Sequence, residues 1–226
     1  MNSASPSNPT SWGQLLLAAL LVSLVSGAYW LKVRPTPTPP QSRETAPSGA
    51  AIQGLTDSLL TLGIRLQAIR QYDKALTTYK QVLQRDPTNP HAHYNIAQIY
   101  NERGQYAEAQ REYEAVLRAD PQFLDARLNL GVVLYRQRQF TTAAEAFRQV
   151  LQASPTHPMG LFNLGVTLLE LGQVDEAIRW LEAALREDPK RADTHYYIGL
   201  ALSRQGRHAE AQAALAKAAE LNRHKQ

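Results

Sequence analysis

Cysteine is absent from the 226 residues. Disulfides, thiolate metal sites and cysteine nucleophiles are thereby excluded, and the fold must be held by packing. Catalytic signatures are missing as well. The chain has no glycine-rich phosphate loop carrying a lysine, no Gly-x-Ser-x-Gly elbow and no helix-borne His-Glu-x-x-His, so catalysis has no candidate group. His91 and His93 lie close in sequence, but residues two apart on a helix diverge by about 200° and cannot hold one metal. No enzymatic activity, cofactor, metal or small-molecule substrate is expected.

Charge of one sign is scarce too. The formal charge is +4, from 24 basic and 20 acidic residues. Before Thr56 stand Lys32, Arg34, Arg43 and Glu44, which give +2, and the 21 basic and 19 acidic residues that remain give the other +2. Signs alternate along the chain, as in Arg111-Glu112 and Arg186-Glu187-Asp188. No stripe exists that could displace many phosphate counterions, and no nucleic acid is expected as a partner.

A long apolar stretch without Asp, Glu, Lys, Arg or His runs from Trp12 to Leu31. As a helix it would span about 30 Å, the thickness of a hydrocarbon core. Trp12 at one end and Tyr29 and Trp30 at the other suit the two headgroup regions. A cleaved signal peptide is the alternative, since Leu15 to Val25 has the right length and Ser26-Gly27-Ala28 could be cut. Against cleavage, residues 1–11 carry no Lys or Arg, whereas Lys32 and Arg34 follow the apolar stretch. An uncleaved single-pass anchor over 12–31 is therefore expected, with the basic flank and the rest of the chain on the cytoplasmic side. Residues 32–50 contain Pro35, Pro37, Pro39, Pro40 and Pro47 among Thr, Ser and Gly. That composition favours an extended spacer rather than a core.

What remains is periodic. Pro87, Pro121, Pro155 and Pro189 recur every 34 residues, three of them after Asp86, Asp120 and Asp188. Five units follow within the region 51–226: 56–89, 90–123, 124–157, 158–191 and 192–225. Their eighth places hold Gly63, Ala97, Gly131, Gly165 and Gly199, and their twentieth hold Ala75, Ala109, Ala143, Ala177 and Ala211. Four residues later stand Tyr79, Tyr113, Phe147, Leu181 and Leu215. Small residues at helical spacing let two backbones approach, and large ones beside them fill the flanks. Gly104, Gly172 and Gly206 fall where the first helix of a unit should turn; Arg70 and Arg138 replace them in units one and three. If those turns need positive φ, each Arg costs about 1 kcal/mol.

These places resemble the tetratricopeptide repeat, with its small eighth residue, Ala twenty, aromatic or Leu twenty-four and Pro thirty-two. The resemblance implies an all-α, right-handed superhelical solenoid of five hairpins, preceded here by the transmembrane helix and Pro-rich linker. The fourth place, often Trp in the family, holds Leu59, His93, Arg127, Leu161 and His195, and Arg223 stands where a fifth Pro would fall. Ala209 to Gln226 is rich in Ala, Gln, Lys and Glu, as suits a capping helix.

The family further implies a concave wall built from the first helix of each unit, which binds a protein or peptide. Its places hold Tyr94, Asn95, Gln98, Asn129, Tyr135, Arg136, Phe162, Asn163, Val166, Tyr196 and Tyr197. Asn95, Asn129 and Asn163 share the sixth place and form a ladder of amides suited to a peptide backbone. Asn costs up to about 0.7 kcal/mol against Ala in a helix, so three of them call for a reason; bonding between neighbouring turns is the plainer one. The wall becomes more aromatic and apolar toward the last units. The family's carboxylate clamp is not expected, because its places hold Leu60, Ile64, Asn95, Asp125 and Asn129 with no cation. The function expected is a membrane-tethered interaction scaffold, possible uses including assembly of a membrane complex. A self-associating structural subunit and an exported adaptor are the alternatives.

Overall fold

The computed structural model describes residues 49–223, and the anchor predicted over 12–31 lies outside them. Among the described residues there are ten helices and no strand. They form five antiparallel hairpins: α1 (Gly49–Ala68) with α2 (Tyr72–Leu83), α3 (Pro90–Glu102) with α4 (Tyr106–Ala119), α5 (Leu124–Arg136) with α6 (Phe140–Ala153), α7 (Pro158–Glu170) with α8 (Val174–Glu187), and α9 (Ala192–Arg204) with α10 (His208–Arg223). The second helix of each hairpin packs on the first helix of the next, and α1 meets α3, α5 meets α7 and α7 meets α9. First helices therefore stand side by side along one wall. Among the described residues no helix is long and apolar enough to cross a membrane.

The repeat frame and the helices coincide. From the second unit onward each first helix starts at the first place of its unit, at Pro90, Leu124, Pro158 and Ala192. In unit one the helix starts earlier, at Gly49. No proline intervenes between Pro47 and this helix, and Ala50, Ala51, Ile52, Gln53 and Leu55 let it extend back into the end of the expected spacer.

The eighth and twenty-fourth places meet inside each hairpin. A methyl group added at Gly131 would lie 2.5 Å from the Phe147 ring, and one at Gly165 would lie 2.7 Å from Leu181 Cγ and 3.2 Å from the Ala177 carbonyl oxygen. The twentieth-place alanines are buried at the same crossing. In unit two the residue is Ala97 and the contact is with Tyr113, both fully buried in one cluster. Such close-packed contacts leave little room for relaxation, so added volume is costly.

The tight turns behave as the glycine spacing implies. Gly104, Gly172 and Gly206 have φ of 71°, 75° and 76°, and Arg70 and Arg138 take up the same left-handed conformation at 59° and 61°. At Arg138 the motif is complete: its own amide donates to the Tyr135 carbonyl at 2.9 Å, and the Gln139 amide donates to the Leu134 carbonyl at 2.9 Å. The turn thus forces a conformation that disfavours a side chain.

The fourth place has acquired a different role from an aromatic filler. His93 Nε2 lies 3.1 Å from the Pro87 carbonyl oxygen and His195 Nε2 lies 3.1 Å from that of Pro189, while Arg127 donates to that of Pro121. Each thereby ties the start of a unit to the proline turn that precedes it. The aspartates before the prolines close the same turns, Asp120 accepting the Gln122 amide at 2.9 Å and Asp188 the Lys190 amide at 3.2 Å. His93 also meets Glu112 at 2.6 Å through Nδ1, and this hydrogen bond raises the imidazole pKa against an opposing contribution from burial. The two histidines turn apart: His91 packs edge-on to Phe123 at 5.8 Å, while His93 faces Glu112 and the Pro87 carbonyl.

Arg138→Gly removes the left-handed strain and Gly172→Arg introduces it. Urea unfolding is expected to show the first more stable than the parent and the second less stable, each by about 1 kcal/mol. Equal stabilities for all three chains would contradict this reading.

Candidate functional site: a concave pocket across the last three hairpins

Along the wall of first helices, one pocket of about 320 Å³ opens between the third, fourth and fifth hairpins. Its lining comes from Val132, Tyr135 and Arg136 on α5, Phe147 on α6, Phe162, Asn163, Val166 and Thr167 on α7, and Tyr197 on α9. Six of the residues singled out from sequence meet here: Tyr135, Arg136, Phe162, Asn163, Val166 and Tyr197. The reason is helical geometry. Fifth, sixth, ninth, twelfth and thirteenth places share one helix face, and side-by-side first helices bring the ends of α5 close to the starts of α7 and α9.

The polar feature of this pocket is Asn163. Its backbone carbonyl accepts the Thr167 hydroxyl at 2.6 Å, but its side-chain Nδ2 is buried without a hydrogen-bond partner among the described residues. An unpartnered buried donor costs about 1–3 kcal/mol, and the cost is recovered if an acceptor arrives. Around it the walls are apolar and aromatic. Phe162 meets Tyr197 edge-on at 5.6 Å, Tyr197 meets Tyr196 at 5.5 Å, and Tyr135 meets Phe140 at 5.4 Å. The Arg191 guanidinium lies over the face of the Phe162 ring, 4.3 Å from its centre.

Both phenols stay protonated at neutral pH. Burial is the main cause raising the Tyr135 and Tyr197 pKa values; Glu170 raises both further, and Arg136 partly opposes it. The pocket therefore offers hydroxyl donors and acceptors, with Arg136 as its one lining cation.

The other five residues read from sequence are arranged differently. Asn129 donates to the Tyr94 hydroxyl at 3.0 Å, and Tyr94 stacks on Phe123 at 5.0 Å, so this pair braces units two and three. Asn95 donates to the His91 carbonyl at 2.8 Å within its own helix. Gln98 accepts from Gln67 at 3.3 Å, and Gln67 in turn accepts from Tyr79. Tyr196 is exposed beside Tyr197. The amide ladder is thus three different devices, and among its rungs only Asn163 has a buried amide nitrogen with no partner among the described residues. Sequence reasoning misses Phe147, whose place in the repeat marks it as packing alone. Its ring reaches the groove because Gly131 opposite has no side chain, and the pairing of a glycine with an aromatic twenty-fourth residue is the signal that could have found it.

Sequence signatures described as tetratricopeptide repeat match residues 57–89, 78–111, 102–158, 134–201 and 168–226. The chain belongs to the tetratricopeptide-repeat family. Its solenoid is similar to that of MamA from Desulfovibrio magneticus RS-1, at 22% identity and a TM-score of 0.71 over 76% of this chain and 97% of that one. It is also similar to YrrB, described as a TPR protein with an unusual peptide-binding site, at 24% identity and 0.66 over 76% and 92%. MamA AMB-1 gives 26% identity and 0.66 over 73% and 98%. No functionally curated protein matches the sequence. The array is thus an all-α, right-handed tetratricopeptide solenoid, a fold built for protein interaction.

Asn163 and Asn129 are expected to respond oppositely to the same change. Asn163→Leu removes an unpartnered donor and should leave urea stability unchanged or higher, whereas Asn129→Leu breaks the bond to Tyr94 and should lose about 1 kcal/mol. A loss of that size at Asn163 would show that its amide already has a partner.

Proposed function

We propose that this chain is a membrane-tethered scaffold that recruits a partner protein by holding an extended segment of it in the groove of hairpins three to five. The observation that carries the proposal is the buried, unpartnered Asn163 Nδ2 inside a pocket whose other lining is mostly rings and Val side chains, with Arg136 and Thr167. A backbone carbonyl of the segment satisfies Asn163, and an apolar side chain next to it fills the space between Phe162, Val166 and Phe147. Main-chain recognition supplies the orientation and the apolar anchor supplies most of the affinity.

The tether is read from sequence: the ion-free stretch 12–31 anchors the chain, and Lys32 and Arg34 keep the repeats on the cytoplasmic side. A scaffold held at the bilayer meets membrane-bound partners at raised effective concentration, which fits a role in assembling a membrane complex.

Affinity recovery of the full chain from solubilised membranes tests both parts. Asn163→Leu combined with Tyr197→Ala is expected to lose the co-purifying partner about tenfold or more, while Asn95→Leu retains it. Deletion of 12–31 should move the chain to the soluble fraction. Undiminished recovery by the double variant would overturn the groove, and a deletion variant still membrane-bound would overturn the anchor.

A further inference from the structure

The last place of a unit stands just before the next first helix, and four junctions fill it differently. Asn89 and His157 cap α3 and α7, their side chains accepting the Ala92 and Gly160 amides at 3.0 and 3.2 Å. Phe123 caps nothing and stacks on Tyr94, the fifth-place ring of its unit, at 5.0 Å. Arg191 stands in the same place before α9, makes no side-chain cap, and lies over Phe162, the fifth-place ring of unit four. A guanidinium only donates, so it cannot receive the amides of a helix start. A residue that would stabilise α9 is thus given up for a cation.

That cation is poorly served by its surroundings. Among the described residues Arg191 forms no ion pair. Its one hydrogen bond runs from Nη1 to the Met159 thioether at 2.7 Å, a weak acceptor. Its Nε is buried without a partner. Asp188 and Asp193 flank it in sequence, yet Asp188 accepts the Lys190 amide and Asp193 is exposed. A half-buried charge in this state favours the arrival of an opposite one.

The ring beneath the guanidinium points to the source of that charge. Phe162 lines the pocket, adjoins Asn163 in sequence, and carries Arg191 on its face. A segment held at Asn163 therefore continues past a cation that the solenoid leaves unneutralised. In unit two the equivalent pair is ring on ring and has no charge to offer. We infer that Arg191 selects the partner by pairing with an Asp or Glu side chain of the bound segment. Extended chain advances about 3.3 Å per residue, which places the acid within about three residues of the apolar anchor. Met159 occupies Nη1, so the carboxylate takes Nη2, the arm without an acceptor. This selection rests on the groove reading of hairpins three to five and adds the chemistry of the segment.

Short random peptides fused to phage through their C-termini offer only side-chain carboxylates, and they test the pairing on the full chain in detergent. Groove-bound peptides are those that Asn163→Leu no longer retains. They are expected to carry Asp or Glu near an apolar residue, and Arg191→Gln should hold them about tenfold more weakly with an unchanged helical signal. Arg191→Lys keeps the charge and should recover part of the binding. Selection on Arg191→Glu should exchange the acid for Lys or Arg, which a merely structural arginine would not produce. Groove-bound peptides without an acid, or an acidic preference that survives both Arg191→Gln and Arg191→Glu, overturns the role of Arg191 and leaves the groove standing. So does a preference lost only with Arg136→Gln, the cation of the pocket lining. The absence of any peptide that depends on Asn163 overturns the groove, and this inference with it.

Discussion

Everything in this molecule depends on how closely the two helices of a hairpin approach. A glycine or alanine in the eighth place receives the large side chain of the twenty-fourth, and an alanine in the twentieth keeps the backbones near. Among the described residues no core stands apart from the repeats: each hairpin buries a small apolar face against itself and the rest against its neighbour, so stability adds up along the array. The same contact sets the spacing of the first helices, and hence the width of the wall they form. Where the eighth residue is Gly131, the Phe147 ring reaches through to become part of the groove. Packing and binding surface are one arrangement viewed from two sides.

The fold was legible because its determinants are local and repeated. A proline every 34 residues in four units, a small residue at the eighth place in all five and a turn glycine in three are each a steric statement, and together they make the frame unambiguous. Even the replacements Arg70 and Arg138 were readable, since the closure of the turn imposes positive φ whatever residue stands there. The fourth-place residues were less transparent. His93, Arg127 and His195 look like departures from an aromatic position, yet they bond the carbonyl of the proline turn before them. That contact crosses between units, and repeat spacing alone does not reveal it.

The groove was legible in outline and not in detail. Position within the unit identified which side chains face the concave wall, but three asparagines at one place differ in what they bond. Asn95 turns back on its own helix, Asn129 is held by Tyr94, and Asn163 is flanked by Phe162 and Val166, which offer nothing to its amide. The acceptors each amide finds around it, rather than residue identity, decide which one remains available.

The central claim is that partner recognition concentrates in hairpins three to five, at the one rung of the amide ladder left without a partner. A photo-crosslinking amino acid placed at Val166 or at Gln98 of the full chain, irradiated in the cells that make it, tests this whatever the partner is. The account predicts that Val166 yields a covalent adduct to a single peptide segment and that Gln98, engaged with Gln67, yields little. Adducts at Gln98 with none at Val166 would contradict it.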